Sequence, residues 1–436
     1  MSGLPLASAS TTLGQLQRGR GAGWLAAAQT QKVDLLRQCL DADPRYDSQV
    51  ERRVEYYATL AIELGLPASS LSLGATTDEC TRWLRMDVLA NMAKRGDADA
   101  VKFLWDYLDG SHGSEQVAGH LFELDGDINR LEEVIAANVR GDELDCMMDC
   151  NSQLPWEHWA KRHPHFAEAS ERIAKWRKRP DPPDLEAPLE AVLSIDVSPI
   201  PADLRDRFVN WATPEELALL RQAAVSDGRP ARYFALAVLG ARNDPCALEL
   251  AEKTFAADVS GRDRATLYRY IRTLDGKHTL PLARHWLGVE DSRNGVAANL
   301  MALHSEPEDV TAIRTEFARQ WSETECTYAL CDLVEALGRH SEQGPYEELR
   351  LTFNDVVYSY ARKRAATSMA RVDPQFQGLF ATECLWDCEP EAQIVGLRNA
   401  NLQLPFVASR VRALAIHGVV GDDEVRQVAI ARLAST

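Results

Sequence analysis

The chain has 436 residues, 45% of them hydrophobic and 26% charged, and a formal net charge of -17 at pH 7. That length exceeds one compact core, so it divides into two or three domains or extends as an array, and the composition excludes a mostly disordered chain. The acidic balance argues against a general affinity for phosphate backbones or anionic membrane surfaces, and no run of about eighteen apolar residues is present to span a bilayer.

In chain order, Met1 to Leu6 lacks the charged start and apolar stretch of a secretory signal and reads as a frayed cytoplasmic end. Gly19-Arg20-Gly21-Ala22-Gly23 invites a phosphate-cradling reading. No strand precedes it and no Lys-Ser or Lys-Thr step follows, so a flexible turn before a helix carrying Trp24 and Leu25 is expected. Leu84, Val88, Leu89 and Met92 predict one helix, and Ala100, Val101, Leu104, Tyr107 and Leu108 fall on one face of the next. Asp97, between them, is placed to cap the second helix. Asp125-Gly126-Asp127 begins like a calcium loop, but Arg130 and Ala136 stand where Gly and a bidentate Glu are needed. The segment reads instead as a turn into a helix starting near Asp127.

Nine scattered cysteines fit reduced thiols in a cytosol better than disulfides. The pairs Cys146/Cys150, Cys326/Cys331 and Cys384/Cys388 lack the two-residue gap of most structural zinc sites, so buried small residues are expected, with no metal. His158, His163 and His165 surround Trp156 and Trp159. They point to different sides and Pro164 is expected to end the helix, which predicts a loop of surface histidines. Lys175-Trp176-Arg177-Lys178-Arg179 puts cations at the negative end of a helix dipole.

The texture changes over residues 179–204. Arg179-Pro180-Asp181-Pro182-Pro183-Asp184 and Ser198-Pro199-Ile200-Pro201 break the chain, and the β-branched run Ala191 to Val197 reads as an extended crossing segment. The expected organisation is an N-terminal helical block over 1–178, a Pro-rich linker or crossing segment over 179–204, and a C-terminal helical array over 205–436. A long ordered loop inside one continuous array is the alternative for the middle segment. Thr213-Pro214-Glu215-Glu216 combines an N-cap, a first-position Pro and a capping Glu, and five further proline-marked starts follow at Asp244, Glu306, Gly344, Asp373 and Glu389. Tyr358, Tyr360, Arg362, Lys363, Arg364 and Arg371 form a second basic cluster. Tyr358 and Arg362 are spaced to share a helix face, an arrangement suited to an anionic group or acidic peptide. The competing reading is neutralisation of neighbouring acidic helices.

Residues 88–107 lie over 235–254 without a gap, pairing Leu89 with Leu236, Arg95 with Arg242, Asp97 with Asp244 and Ala100 with Ala247. A third copy is drawn through Leu414-Ala415, Gly418 and Asp422, and weaker ones through 299–310 and 333–338. The Leu89-Ala90, Asp97, Ala100-Val101 pattern and its partner Leu239-Gly240, Asp244, Ala247-Leu248 resemble the HEAT-repeat family, over residues 76–110 and 212–436. The resemblance implies an all-α fold, an α-solenoid of stacked HEAT-like helix pairs in two blocks, while tetratricopeptide spacing is not evident.

No serine-hydrolase elbow, zinc-protease helix, P-loop or dinucleotide fingerprint is present, so no catalytic residue and no cofactor is assigned. The leading expectation is a cytosolic, non-catalytic scaffold or adaptor binding a protein partner on a concave surface, with Tyr358, Arg362, Lys363, Arg364 and Arg371 as candidate binding residues. The alternative resembles the HEAT-like alkylpurine DNA glycosylases, in which Arg362, Lys363, Arg364 and Arg371 line a basic groove. The acidic balance disfavours nucleic acid, and no membrane contact is expected.

Overall fold

A computed structural model of the chain describes residues 6–73, 78–109, 115–124, 126–177, 185–194, 200–226, 228–257, 261–322, 325–418 and 423–435. Among these residues the protein is all-α, with 28 α-helices and no strand. No helix is long and apolar enough to cross a membrane.

Contacts divide the chain into two compact units: residues 1–178, 322–325 and 351–436 form the first, residues 179–321 and 326–350 the second. The cut after 178 falls where the proline-rich run begins. The array expected over 205–436 is divided, because residues 351–436 find their partners among the N-terminal helices. The physical reason lies in buried polar groups near residues 18–53 whose acceptors and counter-ions sit at 354–389, as set out below.

The second unit is built from consecutive helices packed as neighbours. Pro214–Val225 packs on Arg229–Ala241, Leu248–Ala256 on Arg262–Thr273, Gly276–Trp286 on Ser292–His304, and Val310–Gln320 on Tyr328–Leu337. Arg229–Ala241 also packs on Arg262–Thr273, and Ser292–His304 on Tyr328–Leu337. Leu236, Leu239, Leu267, Ile271, Leu300 and Leu333 fill the core between them and are fully buried. Removing that apolar surface from water is what stabilises helices too short to hold alone.

Local signals correspond to local structure. Thr213 and Glu216 form the reciprocal capping box. Asp97 Oδ1 accepts from the Ala100 amide at 3.1 Å, and Asp127 Oδ1 from the Arg130 amide at 3.1 Å, where the helix Ile128–Asn138 begins. The two gaplessly aligned segments share their turn: Gly96 and Asn243, which occupy equivalent positions, have φ of +96° and +58°. They then diverge, since the first copy enters its helix at Ala98 and the second only at Leu248. Asp244 Oδ1 accepts from the Cys246 amide at 3.1 Å, and its other oxygen takes Arg221 at 2.7 Å, which postpones the helix.

Two local expectations are corrected. Leu189–Leu193 is a short helix rather than an extended segment, because Leu189 and Val192, one turn apart, are both buried. Arg179 to Asp184 and Ile195 to Pro199 lie outside the described residues. Pro164 starts the helix Pro164–Arg177 instead of ending one; the preceding helix is Trp156–Ala160. A first-position proline costs no hydrogen bond, so it marks a beginning as readily as a stop.

Candidate functional site

The basic cluster lies on the helix Ser359–Val372 and the residue before it, within the first unit. Its most prominent member is not at the surface. Arg362 is 0% exposed, and its guanidinium grips the Asp387 carboxylate through Nε at 2.8 Å and Nη2 at 3.1 Å. The same Nη2 donates to the Gly19 carbonyl at 3.3 Å. Burial works against this charge, but Asp387, Cys388 and Glu389 hold the Arg362 pKa above the usual arginine value. Tyr358 is buried beside Tyr46 and Tyr360. Lys363 pairs with Glu391 at 2.7 Å, and Arg364 donates to the Tyr360 hydroxyl at 2.8 Å. The aromatic ring that meets cations is that of Tyr360, with Lys363 and Arg364 at 4.4 and 4.8 Å, rather than Tyr358 with Arg362. Of the five candidates, Arg371 is exposed.

Beneath the cluster runs a second buried ion pair. Arg53 and Glu51 are joined with both side chains fully enclosed, and Arg53 also donates to the carbonyls of Gln17 and Val357. Glu51 accepts from the Ser359 amide at 2.8 Å, while the Ser359 hydroxyl donates to Glu389. Glu389 is buried and its pKa is raised by that burial, with Ser359 and Lys363 opposing the rise. The glycine segment forms part of this wall. Arg20 grips Glu383 at 2.8 and 3.0 Å, and the Cys388 amide donates to the Gly19 carbonyl at 3.0 Å. A Cβ on Gly21 would lie 2.0 Å from the Glu383 carbonyl oxygen. The expected flexible turn is therefore a tightly packed docking point; small residues were needed for backbone approach, not for mobility.

A cleft of 290 Å³ opens beside this network, with Arg45, Asp87, Lys94 and His120 among its walls. Its charges are largely matched from within: His120 with Asp87 at 3.1 Å, Lys94 with Glu123 at 2.7 Å, Arg45 with Asp43 at 2.7 Å. Elsewhere, Cys384 and Cys388 are buried, and burial pushes both thiols up, away from the reactive thiolate. Cys326 and Cys331 are buried with sulfurs 4.0 Å apart, whereas Cys146 and Cys150 are exposed. Among the described residues no three His, Cys, Asp or Glu side chains converge as metal ligands; Asp125 lies outside them. His163 meets Glu132 at 3.0 Å and His165 leans on Phe166 with ring centres 4.4 Å apart.

The second unit carries a feature the sequence did not announce. A groove of 390 Å³ runs across three helices, lined by Arg264, Ala265 and Tyr268 on Arg262–Thr273, by Gly295 and Val296 on Ser292–His304, and by Tyr328 and Ala329 on Tyr328–Leu337. Positions 264, 265 and 268, and again 328 and 332, are spaced to share one helix face. Ala265 and Tyr328 are exposed, and Tyr268, Gly295 and Ala329 are half-buried. A Cβ on Gly295 would meet nothing within 4 Å, so its face opens into free space. Tyr328 is 58% exposed, an aromatic ring left largely in water. The signal was available as a small residue near an aromatic on two of the three helices, Ala265 with Tyr268 and Ala329 with Tyr328, but it has no fixed motif. Compared with models of protein families and with curated proteins, the sequence matches none.

Proposed function

We propose that the protein is a non-catalytic scaffold built as a HEAT-like α-solenoid, and that it binds a helical segment of a protein partner in the groove formed by residues 264–268, 295–296 and 328–329. The observation that carries the reading is the groove of small and aromatic side chains crossing successive helices. The small side chains of Gly295, Ala265 and Ala329 admit close approach by a partner backbone, and Tyr268 and Tyr328 offer rigid amphipathic contact area at low entropic cost. The glycosylase-like reading draws less support, because Arg362 is enclosed and held by Asp387, and Lys363 is matched by Glu391. A groove needs free cations facing the phosphates.

A photo-crosslinking residue in place of Tyr328, introduced in the native cell, tests this directly. A defined partner protein is expected to be trapped at that position and lost when Gly295→Trp fills the groove. Equal trapping with the groove filled, or none at all, would remove the reading. Salt-dependent binding of duplex DNA by the purified protein would favour the glycosylase-like alternative instead.

A further inference from the structure

The first unit encloses a second, smaller cavity of 180 Å³, with Trp24, Thr59, Gln393, Arg410 and Leu414 among its walls. The Arg410 guanidinium carbon lies 5.6 Å from the ring centres of both Trp24 and Trp386. Indole faces favour a cation while excluding water from it. Its Nε donates to the Leu385 carbonyl at 3.0 Å, and among the described residues no carboxylate takes the remaining four N–H groups. This sets Arg410 apart from Arg20, Arg45, Arg53 and Arg362, each of which has a carboxylate partner. Desolvation pushes the Arg410 pKa down to about 10, against the pull of Glu63 and Glu55.

The acids around the cavity are already engaged. Glu63 accepts from Trp24 Nε1 at 3.0 Å, Glu55 is taken by Arg95 at 2.5 Å, and Asp387 is held by Arg362. Gln393, 6% exposed, donates Nε2 to the Asp387 carbonyl at 2.7 Å, while its Oε1 has no protein partner. The cavity thus combines one unmatched cation, one unmatched acceptor and the apolar surfaces of Trp24, Ala413 and Leu414.

We propose that this cavity binds a small monocarboxylate, either a free acid or the C-terminal carboxylate of a peptide, with the Arg410 guanidinium as its anchor. A planar fork of donors matches a carboxylate in two parallel hydrogen bonds. One unmatched positive charge fits one negative charge; a phosphate dianion would leave an excess beside Glu55, Glu63 and Asp387. The volume corresponds to about six waters, below the range of nucleotide-sized pockets. The ligand's apolar part lies against Trp24 and Leu414.

Calorimetric titration of the full chain with N-acetylglycine and with an acetylated tripeptide bearing a free C-terminus tests the assignment, each against its amide. The acids are expected to bind, the amides about tenfold or more weakly, because a charged hydrogen-bond pair is lost. Arg410→Gln is expected to erase the difference between acid and amide. Leu414→Trp fills the cavity while leaving Arg410 in place, and is expected to abolish binding with an unchanged helical circular dichroism spectrum. Tighter binding of the tripeptide acid identifies a chain terminus as the source; binding of acetylglycine alone identifies a free small acid. No binding of either acid at millimolar concentration, equal binding of acid and amide, or binding retained in both variants overturns the proposal.

Discussion

The two units differ in their most deeply enclosed charges, although the first also holds buried acids met by arginines from the surface, Asp145 by Arg172 and Glu132 by Arg162. In the first, two arginines lie wholly inside with their carboxylates, Arg53 with Glu51 and Arg362 with Asp387, and a third carboxyl, Glu389, is so enclosed that its pKa rises. In the second, Glu316 and Asp309 are buried but face arginines that reach in from the surface, Arg319 at 2.6 Å and Arg284 at 2.7 Å. Burial opposes the charge on both, yet these hydrogen bonds hold their pKa values below the ordinary range. The lesson concerns sequence distance. The enclosed network ties residues 17–53 to 354–389 through ion pairs and carbonyls that must all meet together, whereas the second unit ties each helix to near neighbours.

The largest way to break that contrast is Arg362→Met, which leaves Asp387 buried without its cation. A loss of about 3–5 kcal/mol in urea unfolding is expected. Adding Asp387→Asn, which removes the stranded charge, should recover much of it; a single-variant loss no larger than that of a surface ion pair would show the network is not holding the unit together. Gly21→Ala should follow at about 1–3 kcal/mol, since a methyl group 2.0 Å from the Glu383 carbonyl forces backbone to move. A melting temperature unchanged from the parent would contradict the docking assigned to this segment.

Glu316→Gln is expected to cost about 2 kcal/mol at neutral pH, through weakened bonds to Arg319, Gln320 and Asn294. The pH dependence sharpens the comparison. The folded Glu316 pKa lies below the unfolded 4.5, so its stabilisation is complete above that value and is lost as pH falls through the folded pKa. Glu389 has the opposite sign: the folded state keeps a proton that the unfolded chain releases near 4.5, so its contribution declines as pH rises from there through the raised folded value. Unfolding measured across pH should therefore lose its acid-side slope in Glu316→Gln and its opposing slope in Glu389→Gln. The smallest effect is expected from Gly295→Ala, a gain of about 0.5–1 kcal/mol in thermal unfolding, because a helix-interior glycine with open space above it gives only backbone freedom to the unfolded chain. The same variant should leave the first unit untouched.

What could be read in the sequence was what is decided within a few residues. The Thr213 capping box, the Asp97 and Asp127 caps and the shared turn at Gly96 and Asn243 depend on neighbours in the chain, and the helical character followed from them. The site was much less legible. A run such as Arg362-Lys363-Arg364 looks like a cationic surface because its counter-charges, Asp387 and Glu391, belong to another segment of the chain. One clue was present: Asp387 and Glu389 interrupt the apolar stretch around Leu385, Trp386 and Cys388, and acids at such positions need a buried cation. The glycine spacing at 19, 21 and 23 was a second, because it marks close approach as readily as a loop. Arg410 gave no signal at all, since its isolation between two indoles exists only once residues 24, 386 and 410 have met.

The hydrogen bond from the Cys388 amide to the Gly19 carbonyl has a meaning during synthesis. A ribosome adding roughly 5–20 residues per second emits the second of these residues on the order of 20 to 70 s after the first. For most of that interval Arg20 has no access to Glu383 and Arg18 none to the Asp355 carbonyl, whereas Arg53 has Glu51 two residues away; the intervening residues, with their near-neighbour pairing, can already assemble. Arg20 thus waits with its charge hydrated until Glu383 arrives, and the first unit is completed last although its chain emerges first.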